Sequence, residues 1–575
     1  LVLVDGRTEY QDFIGVTLWP ALPVGLEEID RIEIIRGPGS ALYGANAMLG
    51  VINIITRNPG NPPPAEFNAI GGMGNTAGGS FVASSAVKKL RYRASVGYLQ
   101  EDKWSRDFAD DRPDIVSRVA DSSLGLRSVR GNLTTRYQFT DDVSVGASAG
   151  VNRLFTELYP LGLLRNYFLD GTSSYVQADS TLGPLKARAF WNQLEADAGP
   201  QYEAIGARSL ATHVSSHVFS GEVLFSRELQ LAGTHRLDVG VSGRLKRVGW
   251  TYLDAFHQEL HGAAFVQDEW RIIDPVRIVG SYRIDRHPLL DNGKPGYAQS
   301  PRISALYFPA QGHALRASFS TAFREPTYLE SYTAIRLPLP GVNGGSALTT
   351  GDTTLKPEQL TAFELGYRGE LPASGLEWDL ALYRNDVRNL ITLSGLQPLP
   401  ADQSYDPATQ SFLIGRSKFE NEKATYTALG AEVGVTVAPL DRLEVRGSGA
   451  WQRITQSGVA SGTPCAPCSQ APQFKLYGGV TYRAAAGVDL SGEVNYVTAT
   501  TWIEREPAAS DPTQIEAKQN PLPAYTVINA RLAYRLFKDK LTVGIVGSQL
   551  GSPHREHPFG NLIDRRLFAT LTVTP

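Results

Sequence analysis

Two cysteines, three close histidine pairs and a scatter of arginines and glutamates are the residues of this 575-residue chain whose types and spacing could do chemistry. Cys465 and Cys468 are its only cysteines and stand in TPCAPCSQAP, where prolines and serines mark a loop. A zinc knuckle needs two further ligands nearby and a redox pair needs a strand-to-helix setting, and this segment offers neither. The spacing is therefore read as a local loop disulfide formed in an oxidising compartment. His213 with His217, His257 with His261 and His554 with His557 are close in sequence, yet no pair brings the further ligands a metal site requires. HQELH at 257–261 is not the H-E-x-x-H of a zinc protease. No metal and no cofactor is expected. No Ser-His-Asp order, nucleotide loop or paired-carboxylate motif stands out, so no enzyme is expected.

The elements that must position these side chains are strands. No apolar run approaches the roughly eighteen residues of a membrane-spanning helix. The net charge of −3 gives no broad attraction for nucleic acid. Fifty-six glycines, 24 tyrosines and 22 phenylalanines favour strands, tight turns and aromatic girdles. In HRLDVGVSGRLKRV, Leu237, Val239, Val241 and Leu245 share one face while Arg236, Asp238, Ser242 and Arg244 share the other. LEWDLALYRNDV sets Leu376, Trp378, Leu380 and Leu382 against Glu377, Asp379 and Tyr383, and LRASFSTAFRE sets Leu315, Ala317, Phe319 and Phe323 against Arg316, Ser318 and Arg324. Period two recurs from Glu66 to the end.

About 510 residues of strand and turn are too many for one open antiparallel sheet, whose edges a closed barrel removes. Shared among roughly 22 strands they leave about 23 residues per strand and connector, the span of a tilted strand plus a loop. The expected fold is an all-β transmembrane barrel of about 22 antiparallel strands preceded by a small α+β unit. Residues 1–58 form the α+β unit, 59–65 a proline-rich linker inside NPGNPPPAE, and 66–575 the barrel. Long outward loops are expected at 105–123, 155–180, 325–356, 396–421, 453–473 and 499–521, and short turns at 140–142 and 438–442.

The densest motif is GLEEIDRIEIIRGPGSALYGANAMLGVINIITRNP at 25–59. Ile32, Ile34 and Ile35 read as a buried strand, Gly37 and Pro38 as a turn, Gly44 and Gly50 as points of close backbone approach, and Val51, Ile52, Ile54 and Ile55 as a second buried strand. The order of this string, including Tyr43 and Asn53, closely resembles the end of the plug domain in TonB-dependent receptors of the Gram-negative outer membrane. VDGR at 4–7 looks like the plug's preceding strand, and FREP at 323–326, LKPEQLTAFELGY at 355–367 and LGAEVGV at 429–435 resemble strand motifs of the same family.

The resemblance implies that residues 1–58 are the C-terminal part of a plug, a partial α+β plug domain in the barrel lumen, held by arginines paired with glutamates on the wall. Matched by motif, these are Arg31 and Arg36 on the plug and Glu358, Glu364 and Glu432 on the barrel. It also implies a ligand met by external loops, for which Tyr328, Tyr332, Arg336, Tyr405, Arg453 and Trp502 suit an anionic, aromatic ferric siderophore. Haem receptors of the family place a histidine between motifs like FREP and LKPE, and 327–354 contains none, which argues against haem. The implied function is active uptake of a scarce nutrient, foremost a ferric siderophore. Cobalamin, another bulky nutrient, or a surface receptor without transport are the alternatives. Outer-membrane lipid and the inner-membrane energy-coupling protein TonB are the implied partners, the TonB contact segment lying outside this chain, and a monomer is expected.

Overall fold

The computed structural model describes residues 1–61, 63–104, 115–118, 123–158, 167–204, 210–338, 345–407, 411–507, 515–558 and 560–575. Among these residues, twenty-two strands pair antiparallel into one closed barrel, sealed where Arg566–Val573 meets Ala65–Gly72 in the register Phe568 to Gly72 and Val573 to Phe67. Closure pairs every strand on both sides and leaves no edge. The alternation read from the sequence sets the two faces. Val239 and Val241 are 40% and 55% exposed on the outside, as are Leu380, Leu382, Val433 and Val435, whereas Lys246 on the same wall is buried in the lumen. An apolar exterior over a polar lumen is what a bilayer-spanning barrel requires. Phe323 departs from its predicted face: it is buried near a strand end, and its backbone bonds Ser40 and Asn46 of the plug.

Tight turns join strands at one end, as at 88–89, 183–184, 274–275 and 311–312, and the long connections lie at the other. The predicted loop 155–180 is mostly strand, because Val143–Leu158 and Tyr167–Leu182 run well into it. Thr156, Ser173 and Asp179 are lumen-facing strand residues, and Asp170, Thr172, Ser174 and Ser180 stand on the opposite face of the same strands, so they extend strands rather than form turns. The loop at 453–473 likewise begins later, after the strand Leu443–Ser457. Segments 325–356 and 396–421 carry structure of their own: Gly345–Thr350 pairs parallel with Ser411–Asn421 in a small sheet above the barrel. Residues 105–114, 119–122 and 508–514 of the loops expected at 105–123 and 499–521 lie outside the described residues.

The N-terminal unit fills the lumen with four strands, β1 (Val2–Val4), β2 (Arg7–Thr8), β3 (Ile29–Arg36) and β4 (Gly50–Thr56), and one short helix, α1 (Ser40–Tyr43). The strand order is β2-β1-β4-β3, with β1 parallel to β4 and β3 antiparallel to it. Val2, Val4 and Ile54 pack with Leu22 and Ile52 on one side, and Leu3, Ala47 and Val51 with Ile35 and Tyr43 on the other. One sequence expectation fails here. Ile32 and Ile34 are 51% and 69% exposed, because β3 has a single neighbour and its alternation turns these two side chains away from both clusters. The largest apolar cluster lies at the loop end, where Phe13 and Ala21 of the plug meet Leu154, Leu194 and Trp250 of the wall and Tyr328 of the external loop.

Candidate functional site: the plug–wall interface

Arg36 closes β3 and reaches the wall. Its Nη1 donates to Glu432 Oε2 and its Nη2 to Asp379 Oδ1, both at 2.6 Å. Partial burial alone would lower the guanidinium pKa, but Asp379 and Glu432 prevail and raise it. One arginine thus holds two carboxylates on adjacent strands, Leu376–Arg388 and Thr425–Leu440. The alternation of its strand places Asp379 on the charged face but does not by itself assign it to the plug.

The other predicted lock residues are placed differently. Arg31 is exposed and pairs within the plug, with Asp30 at 3.0 Å and Glu33 at 2.8 Å, because it stands on the open side of β3. Glu364 takes Arg316 of the neighbouring strand at 2.6 Å, and Glu358 takes Arg324 at 2.7 Å. Both are pairs within the barrel and its rim. A cross-strand arginine directly alongside wins over a plug residue that must reach across the lumen.

Most buried contacts between plug and wall have the reverse polarity, acid on the plug and base on the wall. Lys246 Nζ binds Asp12 at 2.8 Å and also Glu325 of the external loop, with all three side chains buried. Arg130 pairs with Glu27 at 3.3 Å and Arg93 with Glu28 at 3.6 Å. Burial raises the Glu28 pKa, and Arg93 offsets only part of that. Burial likewise opposes the charge on Glu325, but there Lys246 prevails and holds the carboxyl below its ordinary range. Asn152 and Asn192 donate to the plug carbonyls of Pro20 at 2.9 Å and Thr8 at 2.7 Å. Glu27 and Glu28 stand in the motif as adjacent acids; the alternation of HRLDVGVSGRLKRV puts Lys246 on the polar face without naming a partner, and Asp12 carries no sequence signal.

The plug motif is built as its residue types suggest. Gly44 has φ +78°, and a Cβ there would stand 2.9 Å from the Arg283 guanidinium of the wall. A Cβ on Gly50 would stand 2.7 Å from the Ile35 carbonyl across the β3–β4 pair. Gly37 also has positive φ, in the turn it makes with Pro38. Tyr43 packs against the plug core, and Asn53 donates to Glu33 at 3.2 Å. A cavity of about 600 Å³ runs between plug and wall, bordered by Asp5, Arg188, Arg244, Arg283, His261 and Glu325 among others.

The six candidate ligand residues do not converge. Tyr328, on the helix α2 (Tyr328–Tyr332), is 2% exposed and packs in the cluster over the plug. Tyr332 stacks on His257 with centroids 3.6 Å apart and donates to Glu259 at 2.9 Å. Arg453 shares the outward face with Trp451, so it points away from the lumen; alternation alone could have shown this once the lumen face of its strand was known. Arg336, Tyr405 and Trp502 lie above the barrel strands: Arg336 on Ala334–Pro338, Tyr405 half-exposed against Phe412, and Trp502 edge-on to His557 at 4.4 Å. Cys465 and Cys468 form the expected disulfide, beside a short helical turn in a loop.

Comparison with known proteins follows the same division of the chain. The family model described as TonB dependent receptor-like, beta-barrel, matches residues 66–546, and the TonB-dependent Receptor Plug Domain matches residues 1–51. The vitamin B12 transporter BtuB of Vibrio vulnificus is 25% identical over 402 residues, spanning 68% of this chain and 59% of its own length. An iron-regulated outer membrane virulence protein of Vibrio cholerae is 24% identical over 559 residues, spanning 93% of this chain and 78% of its own. Among solved structures, the siderophore receptor PirA from Pseudomonas aeruginosa superposes with TM-score 0.70 at 18% identity, covering all of this chain and 90% of that one. The ferric enterobactin receptor PfeA from the same organism gives TM-score 0.76 at 16% identity and the same coverage. The chain thus spans about three fifths of the length of the first of these relatives, and the likeness to the solved structures is one of fold. With a plug pinned inside a closed 22-strand barrel, and with the family matched along most of its length, the chain belongs to the TonB-dependent receptors.

Proposed function

We propose that this protein is an outer-membrane receptor of a Gram-negative bacterium that takes up a ferric siderophore actively, drawing energy from an inner-membrane TonB-type partner. The observation that carries this reading is the plug held in the lumen by half-exposed Arg36, bridging Asp379 and Glu432. A pore for free diffusion has no use for an obstructing domain. Arg36 is solvated enough to exchange partners when ligand binding or pulling shifts the plug. We assign residues 1–58 to the plug, 59–65 to the linker and 66–575 to the barrel, with lipid around a monomeric wall. Ligand capture is assigned to the loop residues Arg336, Tyr405 and Trp502, which stand above the strands. The family imports and recognises rather than catalyses, and no enzymatic role is assigned.

The siderophore assignment is supported by the siderophore receptors among the structural neighbours. Cobalamin is the second reading, favoured by the vitamin B12 transporter among the relatives. Uptake of radiolabelled ferric siderophores and of labelled cobalamin, in cells with and without this gene and with and without TonB, separates the two. Iron uptake lost in both deletions is the expected result. Loss of cobalamin uptake alone selects the second reading, and uptake unchanged in the gene deletion overturns both.

A further inference from the structure

We propose that Glu259, His261 and His287 form a binding site for a divalent transition ion, of which zinc is the probe, at the loop end of the lumen beneath α2. The strand His257–Ile273 and the next one, Val276–Asp291, form a hairpin in the register Gly262 to Arg286. One step further along, His261 stands opposite His287. Glu259, two residues from His261, shares its lumen face. One ligand atom from each of the three lies within 4.8 Å of the others. His261 Nε2 is 2.9 Å and His287 Nε2 3.8 Å from Glu259 Oε2. Tetrahedral ligands on zinc bonds of about 2.0–2.1 Å stand roughly 3.3 Å apart, and these separations bracket that distance.

Two further observations bear on a ligand here, an unsatisfied buried nitrogen and the local charge. His287 is 2% exposed, and its Nε2 has no hydrogen-bond partner: Glu325 at 3.7 Å and Glu259 at 3.8 Å are too distant. A buried polar atom left so is rare in a native fold. The second is charge. Asp12, Glu259 and Glu325 are buried together, and among the described residues Lys246 is the one lysine or arginine within ion-pair distance of them. With neutral imidazoles, three carboxylates face the Lys246 ammonium and, from further off, the Arg244 guanidinium, which leaves an excess of negative charge that a bound cation offsets. His287 Nδ1 accepts the Leu289 N–H at 3.0 Å, so that ring is not an imidazolium supplying the balance itself.

The surroundings suit a bound ion. Tyr332 donates to the remaining oxygen of Glu259 at 2.9 Å, and Glu325 Oε2 stands 3.5 Å behind His261 Nδ1, the position of an orienting carboxylate in a carboxylate–histidine–metal arrangement. The cavity between plug and wall reaches both histidines, giving an entry path and space for a solvent ligand. On loading, the His287 proton moves from Nε2 to Nδ1 and the Leu289 N–H is released, at a point where the strand register already breaks between His287 and Asp291. The ion would join the wall to α2 through Tyr332 and adjoin the plug through Glu325, Lys246 and Asp12. This role is independent of the uptake reading.

The test uses the whole chain, purified in detergent, stripped with chelator and dialysed against Zn²⁺. One tightly bound zinc per chain, a raised thermal midpoint, and a visible Co²⁺ spectrum of low-coordinate N/O type are expected. Glu259→Gln and His287→Gln should each weaken binding by at least the roughly 10–100-fold typical of second-shell changes, and Tyr332→Phe by about tenfold. His217→Gln, in a histidine pair elsewhere on the wall, should leave binding unchanged. No tightly bound zinc in the parent, unaltered affinity in the folded Glu259 and His287 variants, or loss in His217→Gln would overturn the site. Should both site variants fail to fold, the parent's stoichiometry and Co²⁺ spectrum decide alone.

Discussion

At the scale of single residues, solvent decides what each ion pair between plug and wall contributes. Arg36 is 53% exposed, so its bonds to Asp379 and Glu432 are screened and stabilise by about 1 kcal/mol or less. Arg36→Ala is therefore expected to leave the melting temperature within a few degrees of the parent while changing plug retention and uptake. A protease-accessibility assay on the plug, run beside transport, checks this, and unchanged values in both would remove the lock. Lys246 is the contrary case. Removing it strands Asp12 and Glu325 as buried anions, which costs about 3–5 kcal/mol. Lys246→Met should lower the thermal midpoint sharply, and a shift no larger than that of Arg36→Ala would contradict the burial argument. Glu28 adds a pH dependence. Its pKa is raised by burial, so its contribution to stability is fully present below its unfolded value and is lost as pH rises through the folded one. Hydrogen exchange in the plug should show protection falling across that window above the ordinary carboxylate range, and Glu28→Gln should flatten the profile.

At the scale of elements, the plug depends on backbone proximity more than on its exposed isoleucines. β3 and β4 approach so closely at Gly50 that any side chain there meets the Ile35 carbonyl. Gly50→Val should cost about 1–3 kcal/mol by overpacking, read as a loss of amide protection in β3 and β4 with the barrel strands unaffected. Equal protection in the variant would mean that the strands can separate cheaply. The helix α2 is set by a capping box in which Thr327 and Glu330 satisfy each other's backbone. That cap places Tyr328 over the plug and turns Tyr332 to Glu259. Loop residues that read as ligand contacts in one dimension thus become packing residues.

At the scale of the whole molecule, closure of the barrel separates two solvents. Val241 lies near the middle of the strand Thr234–Trp250 on the outward face. Val241→Arg should destabilise the barrel by about 2–4 kcal/mol in a bilayer, whereas Val241→Leu should be nearly neutral. Unfolding titrations in lipid vesicles measure the difference, and a neutral arginine would mean that this face does not meet lipid.

The sequence by itself determined the period-two alternation, hence strands with one apolar and one polar face, and the excess of strand over what an open sheet can hold, hence a barrel. Its 25–59 string also determined the plug, because glycines needed for positive φ or close approach are fixed locally. Only the tertiary structure decided which charges meet. Arg36 finds Asp379 as well as Glu432 because adjacent strands present both, while Glu364 and Glu358 are taken by nearer arginines. His261 and His287 are 26 positions apart in the chain and become neighbours through hairpin register. Pairing across a lumen depends on register, tilt and the depth at which the plug sits, and those are set by the closed sheet as a whole rather than by any local stretch of residues.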